Sequence, residues 1–161
     1  MDKKSLVKYL FIIVMIGMVY LSLEAVWKGW THVSMLFVGG ICGLFIGLLN
    51  QKTNLKVYKQ VLVGLPAVLT IELFSGLFIN KYLGLAVWDY SDKLGNVLGQ
   101  ICPQYSLLWV LLIPFGIWLD DYIRWKWFNE GSYYAYSGRF RPAIRSHSGG
   151  HSDRIRPPVT L

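Results

Sequence analysis

The chain has 161 residues, 54% hydrophobic and 16% charged, with a mean hydropathy of +0.42 and a net charge of +7. A soluble domain carries about a quarter charged residues, so this composition excludes an ordinary soluble fold and points to a membrane protein. The positive charge is accounted for by membrane topology and a basic tail, and no nucleic-acid partner is expected.

A helix needs about 20 mostly apolar residues to cross a bilayer. The first apolar run, 6–27, has a basic start, Lys3, Lys4 and Lys8. It is too long for a signal-peptide core, and L-E-A-V-W offers no small-residue cleavage site, so it reads as a retained membrane helix. The run 33–50 is slightly short but continuous, and 61–79 holds Glu72 as its sole charge. Residues 106–119 are too short alone, so a fourth span is expected over 97–119. The alternative is a re-entrant half-element at 97–104, a form tolerated only where protein or trapped water covers it.

Residues 120–128 contain Y-I-R-W-K-W-F and read as a short amphipathic helix at the membrane surface. Asp120 and Asp121 are expected to pair with Arg124 or nearby lysines at little energetic gain. From Asn129 the chain is rich in Gly, Ser, Arg and Pro. The segment 129–161 is expected to be a disordered basic tail whose arginines favour anionic lipids. His147 and His151 have spacing for a chelate but no completing ligand, so neither a metal nor a cofactor is expected. Cys42 and Cys102 sit in or beside apolar runs and read as packing residues. The expected fold is all-α and polytopic: a four-helix transmembrane domain over 1–128, then the tail.

Lys3, Lys4, Lys8, Lys52, Lys56, Lys59, Arg124 and Lys126 fall before span one, between spans two and three, and after span four. The other two connections hold only Lys28, Lys81 and Lys93. By the positive-inside rule, both termini and the middle loop face the cytoplasm across the cell membrane. The stretch A-V-W-D-Y-S-D-K-L-G-N, 86–96, then lies on the far side.

On that side the unusual polar groups collect. Glu24 ends span one, sharing a face with Gly17 and Tyr20, and His32 follows it. Glu72, Gly76 and Asn80 are four apart on span three. Gln100 shares a face with Gln104 if span four begins at 97. A carboxylate at membrane depth costs roughly 2.5–3.5 kcal/mol or more when ionised, and so marks a functional position. Together with Trp88, Asp89, Tyr90, Ser91 and Asn96, these groups outline a polar cavity in the outer half of the membrane. The competing account is a buried hydrogen-bond network, with Asp89 or Asp92 capping span four. Gly39, Gly43 and Gly47 lie on one face of span two and allow close helix packing, within the chain or in a homodimer.

The strings E-A-V-W-K-G-W-T-H-V-S-M-L-F-V-G-G, I-E-L-F-S-G-L-F-I-N, W-D-Y-S-D-K-L-G-N-V-L-G-Q-I-C, L-L-W and L-D-D resemble the bacterial CmpB-like family of type IV ABC-transporter permeases. The resemblance covers about 15–125. It implies a transporter permease, and it carries over Glu24, His32, Glu72, Asn80, Trp88, Asp89, Tyr90, Ser91, Asn96, Gly99 and Asp121. The chain has no GxxxxGK[ST], so a partner ATPase would hydrolyse the nucleotide. Four spans are few for a permease, which calls for that partner or a homodimer, and 51–60 is the candidate coupling segment. Two other functions are compatible with the residues. One is an intramembrane enzyme on a lipid or isoprenoid, with Glu72 as general acid and Glu24 or Asp89 as its ionised partner. The other is a non-catalytic assembly or regulatory subunit.

Overall fold

The computed structural model describes residues 3–130. Most of the expected basic tail, including His147, His151 and the arginines expected to favour anionic lipids, lies outside the described residues. Four helices carry the fold: α1, Lys3–Lys28; α2, Ser34–Lys52; α3, Val57–Gly76; and α4, Pro103–Phe128. Each is long and apolar enough to cross a membrane, and the chain is a multi-pass membrane protein. Its outward surface is apolar, as at Val26, Leu62, Phe74 and Leu111. Helices apolar all round belong in lipid, where backbone groups must be satisfied within the helix.

Two boundaries differ from the sequence reading. α4 begins at Pro103, whose ring suits the first turn of a helix, where an N–H has no partner to lose. Residues 97–102 form instead a tight turn closed by Val97 and Ile101, so Gln100 and Gln104 share no helical face. No side chain caps this helix, so neither Asp89 nor Asp92 does. At its other end α4 runs unbroken to Phe128, and 120–128 is its last part rather than a separate surface helix. Asn129 stops it in the left-handed conformation, a common helix ending.

α3 continues past Gly76 as a widened π-helical turn, Leu77–Tyr82. This turn carries Asn80 out of ordinary helical register and starts the strap that returns to α4.

α2 is the central helix and touches the other three, most extensively α1. Glycines set that approach. A Cβ on Gly17 would collide with the Leu36 carbonyl, and one on Gly40 with the Ile13 carbonyl. Gly39 lies against the Tyr20 ring, Gly43 against Ile16 and Gly47 against the Asp120 carboxylate. The face 39–43–47 thus packs on α1 and α4 of the same chain. Gly17→Ala is expected to cost about 1–3 kcal/mol, the usual range for overpacking, because a backbone carbonyl cannot swing aside. The melting temperature in detergent should fall accordingly, and an unchanged melt would mean the helices can part without penalty.

Candidate functional site

A cavity of about 260 Å³ opens between α1, α3, α4 and the strap. Glu24 and Lys28 reach it from α1, Glu72 from α3, Tyr90 from the strap, and Tyr105 and Trp109 from α4. Tyr20, Trp27 and leucines of α1 and α4 complete the wall.

The two carboxylates are held differently. Glu24 accepts from Lys28 Nζ at 2.5 Å and from Thr31 Oγ1 at 2.8 Å, so both of its oxygens are engaged. Glu72 is 6% exposed and makes one hydrogen bond among the described residues, accepting at Oε2 from Trp109 Nε1 at 3.2 Å. It also feels the charges of Lys28 and Glu24. Trp109 is fixed in turn by stacking on Tyr20, with centroids 5.7 Å apart and planes 9° apart. Tyr20 can lie there because Gly39 leaves it room. A glycine on α2 thereby helps to position a carboxylate on α3 through two rings.

Tyr90 and Tyr105 stack at 4.6 Å, joining the strap to α4. Burial pushes the Tyr90 phenol upward, and the nearby Glu72 charge adds to this, so Tyr90 remains a neutral O–H.

The other expected site residues serve the strap itself. Asn80 accepts the Val87 N–H at 2.8 Å and donates to Gln100 Oε1 at 2.8 Å. Trp88 Nε1 donates to the Gln100 carbonyl at 3.0 Å, and Gln100 Nε2 donates to the Leu98 carbonyl at 3.2 Å. Gly76 lets this knot approach α3, since a Cβ there would meet both Gln100 and Trp88. Asn96 donates to the Lys93 carbonyl at 2.8 Å and accepts the Gly99 N–H at 3.0 Å. Gly99 has φ +70°, and a Cβ there would meet Ser91 and Asp89. His32 lies in the α1–α2 connection, with Nδ1 2.9 Å from Ser34 Oγ. Of the expected set, Glu24, Glu72 and Tyr90 line the cavity. Asn80, Trp88, Asp89, Ser91, Asn96 and Gln100 build the strap, and His32 joins neither group. Sequence reasoning missed Lys28, Tyr105 and Trp109. No spacing in the sequence links Trp109 to Glu72, which lies on another helix.

Asp89 is exposed and accepts from the Ser91 hydroxyl at 2.5 Å and the Ser91 N–H at 2.9 Å. Both donors favour its ionised form and lower its pKa. A lowered carboxyl stabilises the folded turn above its unfolded pKa and loses that contribution as pH falls through the folded value. Ser91→Ala should therefore raise the Asp89 pKa toward the ordinary value, as a carboxyl-carbon NMR titration would read. An unchanged titration would mean the side-chain bond does not form.

A second polar cluster lies at the opposite end of the bundle. Asn50 Nδ2 donates to both Asp121 oxygens at 3.1 Å, Gln51 Nε2 to Asp121 at 2.9 Å, and Gln60 Nε2 to Asn50 Oδ1 at 3.0 Å. Arg124 Nε donates to Asp120 at 2.6 Å, and Glu130 links Arg124 to Lys8 of α1. Asp120 is 0% exposed and Arg124 4%. The sequence reading had the partner of Asp120 right and the setting wrong: this pair is buried, with Asp120 packed against Gly47 of α2, while Asp121 accepts from the Asn50 and Gln51 amides.

No curated protein and no solved structure matches the chain. One family model matches residues 6–130, from the first turn of α1 to the end of α4, and so takes in the cavity, the strap and the second cluster. The chain belongs to the family described as "Putative ABC-transporter type IV".

Proposed function

We propose that the chain is the membrane-embedded permease component of a transporter, and that the cavity around Glu72 is where its solute binds. The observation that carries this reading is Glu72 itself, a carboxylate within a membrane span that lines a cavity and has one described hydrogen bond. Intramembrane acids of this kind mark substrate and ion pathways. Family membership supports the transport class.

In this reading the strap and cavity face the extracytoplasmic side, and the α2–α3 connection faces the cytoplasm. Lys52, Lys56 and Lys59 are exposed there and offer a basic surface to an ATPase subunit. Tagged protein drawn gently from native membranes should bring with it a polypeptide carrying a nucleotide-binding GxxxxGK[ST] loop. A lysine-to-glutamate change at Lys56 should release it. If the chain comes out alone from cross-linked membranes, the permease reading fails. The sidedness has its own readout: Asp92→Cys should react with an impermeant maleimide on intact cells, and Lys56→Cys only after lysis.

A further inference from the structure

We propose that the cavity takes an organic cation, an alkyl- or aryl-ammonium whose head sits beside Glu72 while its apolar part lies along α4. This rests on the reading of the cavity as a solute site, and adds the chemical class of the solute.

The charge balance of the wall is the first argument. Two carboxylates, Glu24 and Glu72, face the cavity with one ammonium, Lys28. Lys28 is spent on Glu24 at 2.5 Å, and Thr31 occupies the other Glu24 oxygen. Glu72 is left as the acid in excess. Its Oε1 has no hydrogen-bond partner among the described residues, although the residue is 6% exposed. A buried carboxylate in that state favours a positive ligand and disfavours an anion.

The rings are the second argument. Tyr20, Trp27, Tyr90, Tyr105 and Trp109 all reach the cavity. Aromatic faces attract cations, most strongly where water is excluded, and clusters of them are a usual receptor for alkylated ammonium groups.

The remaining wall limits the kind of cation. Leu108, Leu111 and Leu112 give α4 an apolar side to the cavity. A hard inorganic cation such as Ca²⁺ wants about six to eight oxygen ligands, and this wall cannot replace its hydration shell. An ammonium carrying carbon substituents loses little water on entering and covers the leucines as it does so.

The test uses full-length protein in a maltoside micelle and three probes of matched shape: phenyltrimethylammonium, its uncharged isostere tert-butylbenzene, and the anion benzenesulfonate. Titration calorimetry should give saturable binding for the cation, at least about tenfold tighter than for either other probe. Glu72→Gln should weaken the cation by about tenfold or more with an unchanged melt. Tyr105→Leu should weaken it several-fold and Tyr105→Phe should not, since the phenyl ring keeps the attracting face. That pair remains informative if the Glu72 variant is unstable.

Equal affinity for the uncharged isostere overturns the proposal, as does full affinity in Glu72→Gln or an absence of saturable cation binding. Saturable binding of benzenesulfonate alone also overturns it while leaving a solute site in place. Failure to find an ATPase partner would remove the permease reading without touching the titration.

Discussion

Asp120→Ala is expected to destabilise the folded chain by about 3–5 kcal/mol, the range for removing one member of a buried ion pair. The loss comes less from the vanished attraction than from what remains. Arg124 is 4% exposed and would keep its charge with Glu130, at 3.4 Å, as its remaining acid among the described residues. The empty space beside Gly47 would add a cavity term. Replacing both members, as in Asp120→Leu with Arg124→Met, should cost far less, because two apolar chains of similar bulk leave no orphaned charge. Equilibrium unfolding in mixed micelles separates the cases. A single substitution within about 1 kcal/mol of wild type would mean the pair is hydrated and does not hold the bundle.

Glu72→Gln is expected to abolish solute handling at nearly full stability. The amide oxygen can still accept from Trp109 Nε1, so the hydrogen bond survives and only the charge is lost. Trp109→Phe does the reverse. It keeps a ring to stack on Tyr20 and removes the donor, leaving Glu72 buried without its one described hydrogen bond. Hydrogen bonds to charged groups contribute about 1.5–3 kcal/mol, so this variant should melt early. If the two variants lose function and stability in equal proportion, the carboxylate is a structural group and the cavity has no solute role.

The four spans were legible because lipid imposes a simple demand: long apolar runs with their backbone satisfied internally. Glu72 was legible as the single charge in its run. The strap was harder. Asn80, Asn96 and Gln100 look alike in a sequence whether they face a cavity or their own backbone, and here the strap's left-handed turns at Leu98 and Gly99 give the side chains nearby carbonyls and N–H groups to bond. The buried pair was misjudged for a related reason. An Asp four residues before an Arg announces a helical pair, but its burial depends on Gly47, seventy-three residues upstream. Trp109 was missed because its contact with Glu72 joins two different helices, and the spacing along one of them does not reveal it.

The two polar clusters lie at opposite ends of one bundle, so a pivot of the helices about one cluster would carry motion to the other. Asn50, Gln60, Asp120 and Asp121 clamp α2, α3 and α4 together at one end. At the other end the cavity separates α1 from α3, and α1 meets α4 less than it meets α2. Asp120 and Trp109 are eleven residues apart on α4, about 16 Å at 1.5 Å per residue. Pivoting by about 5° on the clamp would move the cavity wall by about 1.4 Å over that arm. Spin labels at 23 and 111 would register such a stroke as a change in separation, with labels near 47 and 120 unmoved. The clamp would then act as a fulcrum, and the glycines joining α1 to α2 would make those two helices a single arm.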